Sequence, residues 1–450
     1  MNMPNVPQHI EAYLDKDLVC ECGHTHRADI KRVIVSEGAN KELPAVVRQL
    51  GGSNVVLVSD EITYKIAGEN CANILKDAGL ETTVITLKHL GFDEATLGEM
   101  LINTPNGCDI MVGVGTGLIN DIVKYFSYKT GRPYIIVATA GSMDGYVSNI
   151  SAFHENGFKV TYNAHTPSAL IGDVDVLKNA PARMIAAGLG DLLGKYTCLC
   201  DWRIAKLVIN EHYCDNVVNL MAHSLEKTMA VADKAKDRDP EVIGNIMEGL
   251  VLAGVSMGLY ANSRPASGCE HHMSHFWELV LEQQGIRPAP HGIQVGVATV
   301  IMLKAAEILR NKKPDFAAAK AAAKAYSQEA WEETMRNVYG KAADGVIAME
   351  AKAKKNDTAD RIARLDVIEE KWDAICQQLE NLPSAEYVKE LLEGLGAPSL
   401  PSQIDVDRET LKNTMMYCKE VRPRYTLYQL MWDLDLLDTI SDEVMAALGL

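Results

Sequence analysis

The chain has 450 residues, 47% of them apolar and 23% charged, which supports two ordinary domains with a large buried core and argues against disorder. A formal charge of −16, with no Lys/Arg cluster interleaved with aromatics, argues against nucleic acid as a partner. No run approaches the roughly 18 uninterrupted apolar residues of a membrane helix, so no membrane partner is expected.

The first 17 residues lack a basic stretch followed by an apolar run, so no secretory or transit signal is read and a cytoplasmic location is expected. Ten scattered cysteines read as reduced thiols rather than as a disulfide framework. The first cluster of soft ligands is CECGHTH, with Cys20, Cys22, His24 and His26. Its C-x-C-x-H-x-H spacing is compressed relative to zinc motifs and no second knuckle follows, so a hairpin with incidental thiols is preferred to a structural metal.

From 31 to 180 short apolar runs alternate with helical stretches, the pattern of βαβ units. Strands are expected at 32–35, 54–58, 82–86, 109–114, 134–138 and 169–174, with helices at 64–78, 94–102 and 118–129. Runs such as VVLV and YIIVA suit a parallel sheet covered on both faces. Between 147 and 162 the alternation breaks, and HENG (154–157) reads as a hairpin forming an edge excursion.

Residues 113–121 read GVGTGLIND, between an apolar strand and a helix. Gly115 and Gly117 let the backbone approach a pyrophosphate, and the helix N-terminus offers unpaired N–H groups; the same glycines could serve chain geometry alone. A second small turn, Thr139 to Ser142, follows the next strand, and ligands of open α/β sheets bind at such strand ends. Asp60 ends the strand VVLVS. It reads equally as an acceptor for a ribose hydroxyl, which would favour NAD over NADP, or as a helix N-cap.

After Pro181 the periodicity becomes helical and Gly and Pro retreat to connectors, so an all-α half is expected. The domains are placed at 1–180 and 181–450. The Ala- and Lys-rich stretch 316–326 reads as an ordinary exposed helix, and Cys198 and Cys200 as core.

Four of the 12 histidines fall between 271 and 291, in SGCEHHMSH and PAPHG. If 268–282 is helical, His271 and His275 share a face while His272 points about 100° away. His291 is expected on a Pro-rich loop. Two or three imidazoles with a carboxylate suit a borderline cation with one position open. The carboxylate candidate is Asp191 in AAGLGDLLGK, where Gly188 and Gly190 permit close approach and the Asp is expected to begin a helix; the alternative is that Asp191 only caps that helix.

The segments SDEITYKIAG, GVGTGLINDIVKYFS, ATAGSMDGYVSNIS, TPSALIGDVDVLKNAP, AAGLGDLLGKYTCLCDW, SRPASGCEHHMSH, HGIQVGVATV and VRPRYTLYQL, in this order, resemble the sn-glycerol-1-phosphate dehydrogenases, and the AraM-like bacterial members in particular. That family sits in the superfamily of glycerol dehydrogenase, iron-containing alcohol dehydrogenase and dehydroquinate synthase. The resemblance implies a Rossmann-like α/β N-terminal domain followed by an all-α C-terminal domain, the dehydroquinate synthase-like fold. By position it implies metal ligands at Asp191, His271 and His291. Cofactor contacts fall at Asp60, Gly117 to Asp121, Thr139 to Ser142 and Ser148, and substrate contacts at Asp144, Asp191 and His275. Ala138 and Gly141 depart from the Pro- and Ala-containing second turn of many members.

The implied reaction is reduction of dihydroxyacetone phosphate by NAD(H) or NADP(H), and its reverse, with the metal as Lewis acid and His275 near its ordinary pKa as acid or base. Nickel or zinc is favoured and iron is a third candidate. The partner is a small phosphorylated triose or polyol, and a homodimer is implied by the family alone. For the substrate phosphate the candidates are Arg264, preferred, and Lys195, each with a surface ion pair as its alternative. Rival readings are a glycerol or simple-alcohol dehydrogenase, a dehydroquinate-synthase-type cyclase, and a non-catalytic nucleotide- or metal-binding regulator.

Overall fold

The first pairing along the chain is an antiparallel hairpin of β1 (Leu18–Val19) and β2 (Thr25–His26) in the computed structural model, which describes residues 1–89, 91–155 and 158–450. Six strands then form one parallel sheet: β3 (Arg32–Ser36), β4 (Asn54–Asp60), β5 (Glu81–Leu87), β6 (Ile110–Gly115), β7 (Tyr134–Ala138) and, after two further strands, β10 (Ala169–Asp173). Their order is β3-β10-β7-β6-β4-β5, parallel throughout. Every residue of β6, β7 and β10 is buried, which is why these strands read as unbroken apolar runs. One face presents Val55, Leu57, Val112, Val114, Ile135, Val137 and Ile171 to Leu43, Val46, Val47, Cys71 and Leu75.

The sheet reverses direction between β4 and β6. From β4 the chain goes outward to β5, returns to pair β6 on the other side of β4, and continues to β7. The carboxyl ends of β4 and β6 therefore flank a topological switch point, where ligands of such sheets bind.

The interruption between β7 and β10 is not an edge of this sheet. β8 (Ile150–Glu155) and β9 (Phe158–Asn163) pair antiparallel as a separate two-stranded sheet, and residues 156 and 157 of the expected turn lie outside the described residues.

The chain forms two compact units, the first comprising Met1–Leu192 and Asp215–Ser263, the second Leu193–Cys214 and Arg264–Leu450. This division differs from one at 180/181. The helices Asp215–Met229 and Pro240–Tyr260 are helical by composition but belong with the sheet: a Cβ on Gly172 of β10 would meet Met247 at 3.1 Å. Helical periodicity alone does not tell a helix that covers a sheet from one that founds a new core. The second unit is all-helical among the described residues, built around Cys269–Gln283 and His291–Leu309. The helices Pro240–Tyr260 and His291–Leu309 are long and apolar enough to cross a membrane, but both are mostly buried and behave as core helices.

Candidate active site

In the first unit β6 ends at Gly115, and the helix Gly117–Thr130 begins two residues later. A Cβ on Gly115 would stand 2.6 Å from Ile119, so glycine is what lets this helix turn back so tightly. Thr116 precedes the helix without a side-chain cap, and the first turn carries no acidic residue. The first N–H groups of the helix thus keep their affinity for an anion at the mouth of the switch point.

Asp60 ends β4 beside this turn. One of its oxygens accepts from the Ile62 and Thr63 N–H groups at 2.8 Å each, and Thr63 completes a capping box. The N-cap role is therefore realised. The second turn lies next to the first, with the Thr139 N–H donating to the Gly115 carbonyl at 3.1 Å.

Asp121 and Ser148 are joined by a residue the sequence reading missed. Lys124, wholly buried, donates to Asp121 Oδ1 at 3.2 Å, Ser148 Oγ at 2.9 Å, and the Gly145 and Ile150 carbonyls at 3.0 Å. Burial lowers its pKa from the ordinary value, with Asp121 pulling the other way. A buried lysine ties the glycine-turn helix to the loop that bears Asp144 and Ser148. Its signal was weak, because one Lys in an amphipathic helix reads as solvated.

Asp191 is neither a cap nor the start of a helix. It lies well inside the long helix Ala182–Ile209 and is fully buried. Its Oδ2 accepts from the Asp144 N–H at 2.9 Å. Gly188, one turn earlier, explains how the helix reaches this turn: a Cβ there would stand 2.0 Å from the Gly141 carbonyl oxygen. The structure thus brings together Asp144, Asp191 and the Thr139 to Ser142 turn. A fully buried mid-helix carboxylate is costly unless it is paired or coordinates a cation.

In the second unit the helix Cys269–Gln283 places His271 and His275 on one face, and His291 is the first residue of the next helix rather than part of a loop. The His271 and His291 ring centres are 5.2 Å apart, and those of His275 and His291 5.5 Å. His275, Glu278 and His291 each bring a ligand atom within 4.8 Å of the others. His272 points away into the core, with both ring nitrogens lacking hydrogen-bond partners among the described residues.

His271 is oriented from behind. Its Nδ1 lies 2.8 Å from Glu270 Oε1, and the fully buried Glu270 also accepts from the Gly268 N–H and the Thr197 hydroxyl, each at 2.7 Å. Burial opposes ionisation of Glu270, yet these hydrogen bonds hold its carboxyl below the ordinary value. With Nδ1 carrying the hydrogen of that bond, Nε2 keeps its lone pair, the arrangement of a metal-ligating histidine. Burial also lowers the His275 pKa, with Glu278 at 3.2 Å pulling partly back. His275 is therefore neutral at pH 7 rather than poised near the ordinary imidazole value.

The two cations nominated for the substrate phosphate are committed elsewhere. Arg264, 1% exposed, pairs with Glu211 at 3.0 Å and donates to the Asp201 and Tyr425 carbonyls. Lys195, also buried, donates to the Ala266 carbonyl at 2.9 Å. Neither is the surface ion pair offered as the alternative, since both are buried and hydrogen-bonded to backbone carbonyls. Arg422 stands out instead. Its buried Nε has no hydrogen-bond partner among the described residues, and its charge contributes to the lowering of His272 and His275. The sign of it in the sequence is the R-P-R run at 422–424.

Residues 34–181 match the iron-containing alcohol dehydrogenase family. Among curated proteins, glycerol-1-phosphate dehydrogenase (NAD(P)+) of Halalkalibacterium halodurans is 35% identical over 63% of this chain and 72% of its own length. The protein of the same name from Pyrococcus horikoshii is 34% identical over 60% of this chain and 77% of its own. The fold is that of glycerol dehydrogenase from Schizosaccharomyces pombe, with a TM-score of 0.61 at 14% identity over 93% of this chain and 92% of that one. It is likewise that of maleylacetate reductase from Rhizobium, with a TM-score of 0.59 at 14% identity over 93% and 97%. Glycerol-1-phosphate dehydrogenase (NAD(P)+) of Bacillus licheniformis is 30% identical over 92% of both chains, and the present protein, an oxidoreductase, belongs to that glycerol-1-phosphate dehydrogenase family within the iron-containing alcohol dehydrogenases.

Proposed function

We propose that the protein reduces dihydroxyacetone phosphate to sn-glycerol 1-phosphate with NADH or NADPH, and catalyses the reverse reaction, using a divalent metal held by Asp191, His271 and His291. The observation that carries this reading is the buried Glu270 carboxylate fixing His271 beside His275 and His291. Such backing is the usual arrangement behind a metal-ligating histidine. Membership of the family supports the substrate and the nicotinamide. Imidazole and carboxylate donors suit nickel or zinc, with iron the third candidate.

When bound, the metal supplies polarisation of the C2 carbonyl and the dinucleotide supplies the hydride. The chain's own residues do the rest. The uncapped N–H groups after Thr116, with Gly115 and Gly117, receive the pyrophosphate, while Asp60, Asp121, Thr139, Ser142 and Ser148 line the dinucleotide. Asp144 orients the substrate. The neutral His275, its Nδ1 engaged by Glu278, accepts the C2 hydroxyl proton at Nε2 in the oxidation direction, and in the reduction relays a proton from solvent through Nε2 to the same oxygen. Arg422 takes the place first given to Arg264 as anchor of the phosphate.

The test is NADH oxidation with dihydroxyacetone phosphate against dihydroxyacetone. A charge-assisted contact is worth about 1.5–3 kcal/mol, so kcat/KM should favour the phosphorylated substrate by roughly 10- to 100-fold, and Arg422→Gln should remove most of that preference. Equal turnover of both substrates by the wild type would favour a simple polyol dehydrogenase instead. Retained preference in the variant would clear Arg422.

A further inference from the structure

The CECGHTH segment serves no part of the dehydrogenase reading. Its spacing alone favours incidental thiols. The fold gives it a different meaning. β1 and β2 pair with Leu18 opposite His26 and Val19 opposite Thr25. The connecting turn is closed by the Cys20 N–H to the His24 carbonyl and the Gly23 N–H to the Cys20 carbonyl, both at 3.1 Å. Gly23 has φ 88°, a conformation that a side chain would resist. The result is a tight loop that turns Cys20, Cys22 and His26 toward one point: the two Sγ atoms and one His26 ring nitrogen all lie within 4.8 Å of one another.

Three further observations point to a cation. His26, 2% exposed, has its Nδ1 2.7 Å from the Leu259 carbonyl, which fixes the hydrogen there and leaves the Nε2 lone pair facing Cys22 Sγ at 3.2 Å. Asn216 Nδ2 lies 3.3 Å from Cys20 Sγ, placed to donate to a sulfur that carries charge. No disulfide joins Cys20, Cys22 or any other of the ten cysteines. A thiol is a weak donor and acceptor, so two sulfurs and an oriented imidazole are a poor set of mutual partners. They are a good set of ligands, since zinc with Zn–S about 2.3 Å and Zn–N about 2.0–2.1 Å holds tetrahedral donor atoms roughly 3.5–3.8 Å apart.

We propose that Cys20, Cys22 and His26 form a second metal site, separate from the dehydrogenase site, that binds a thiolate-preferring divalent cation, zinc. The site is a clasp. Through His26 and Leu259 it fastens the N-terminal hairpin to the end of the helix Pro240–Tyr260, and through Asn216 to the helix Asp215–Met229, all within the first unit. Each thiol gives up its proton on binding, so affinity falls as the pH is lowered.

The dehydrogenase ligands include no sulfur, which separates the two sites cleanly. The full chain, freed of metal and reloaded with cobalt(II), should show a thiolate-to-cobalt charge-transfer band that persists in His271→Ala and is lost in Cys22→Ser. Purified from zinc-supplemented cells, His271→Ala should retain about one zinc per chain, released when an organomercurial titrates the thiols. Should Cys22→Ser fail to fold, the wild-type band and the mercurial-driven zinc release still decide the matter. No charge-transfer band in the cobalt-loaded wild type, no zinc released by the mercurial, or a Cys20–Cys22 disulfide in freshly purified protein would each overturn the proposal.

Discussion

Gly188→Ala tests the packing that carries Asp191. The added Cβ would stand 2.0 Å from the Gly141 carbonyl oxygen and 2.9 Å from its carbon, both backbone atoms that no rotamer can move. Cβ contacts closer than 3.0 Å are essentially never seen, so the helix Ala182–Ile209 must retreat by about 1 Å. Asp191, three residues on, moves with it and loses its 2.9 Å bond from the Asp144 N–H. Overpacking of this kind costs about 1–3 kcal/mol of stability, and a shift of about 1 Å in a reacting group costs roughly 100-fold in rate. The assay is steady-state NADH oxidation beside a thermal melt. Gly244→Ala is the control: its Cβ would meet only Val174 at 3.8 Å in a helix interior, and it should raise stability by about 0.5–1 kcal/mol with activity unchanged. A folded Gly188→Ala protein with wild-type kcat/KM would refute the reasoning.

Two more outcomes follow from buried charge. Glu270→Gln should weaken metal binding roughly 10- to 100-fold, read by competition with a chromogenic chelator, because the amide no longer fixes His271 as a carboxylate does. Glu420 is buried, which works against its charge, but Lys355 at 3.2 Å and the adjoining Lys419 hold its carboxyl well below the ordinary value. The unfolded chain takes up a proton that folded Glu420 refuses. Its contribution is therefore complete above the ordinary carboxylate value of about 4.5 and is lost as the pH falls below it. Glu420→Gln should cost about 3–5 kcal/mol at neutral pH in denaturant titrations and flatten the acid limb of the stability curve.

The parallel sheet was legible because strands buried on both faces have no choice but to be apolar, and β7 fell where its run YIIVA predicts. The glycine turn was legible because the close approach of Ile119 tolerates nothing larger. Other features depend on partners distant in the chain. Asp191 carried a helix cap as its alternative because the glycines before it resemble a helix start, whereas Gly188 lies inside a long helix and is pressed on Gly141. Arg264 looked available because nothing in SRPAS reveals Glu211, 53 residues earlier. Lys124 gave almost no local signal and Arg422 only its R-P-R run, since burial of a cation is decided by the elements that close over it.

The most direct measurement is metal reconstitution of chelator-stripped protein, following bound metal and NADH oxidation with dihydroxyacetone phosphate together. The account predicts that turnover rises in proportion to metal bound at the Asp191, His271 and His291 site, and that His271→Ala neither fills that site nor turns over. Full turnover in the stripped protein, or in His271→Ala, would contradict it.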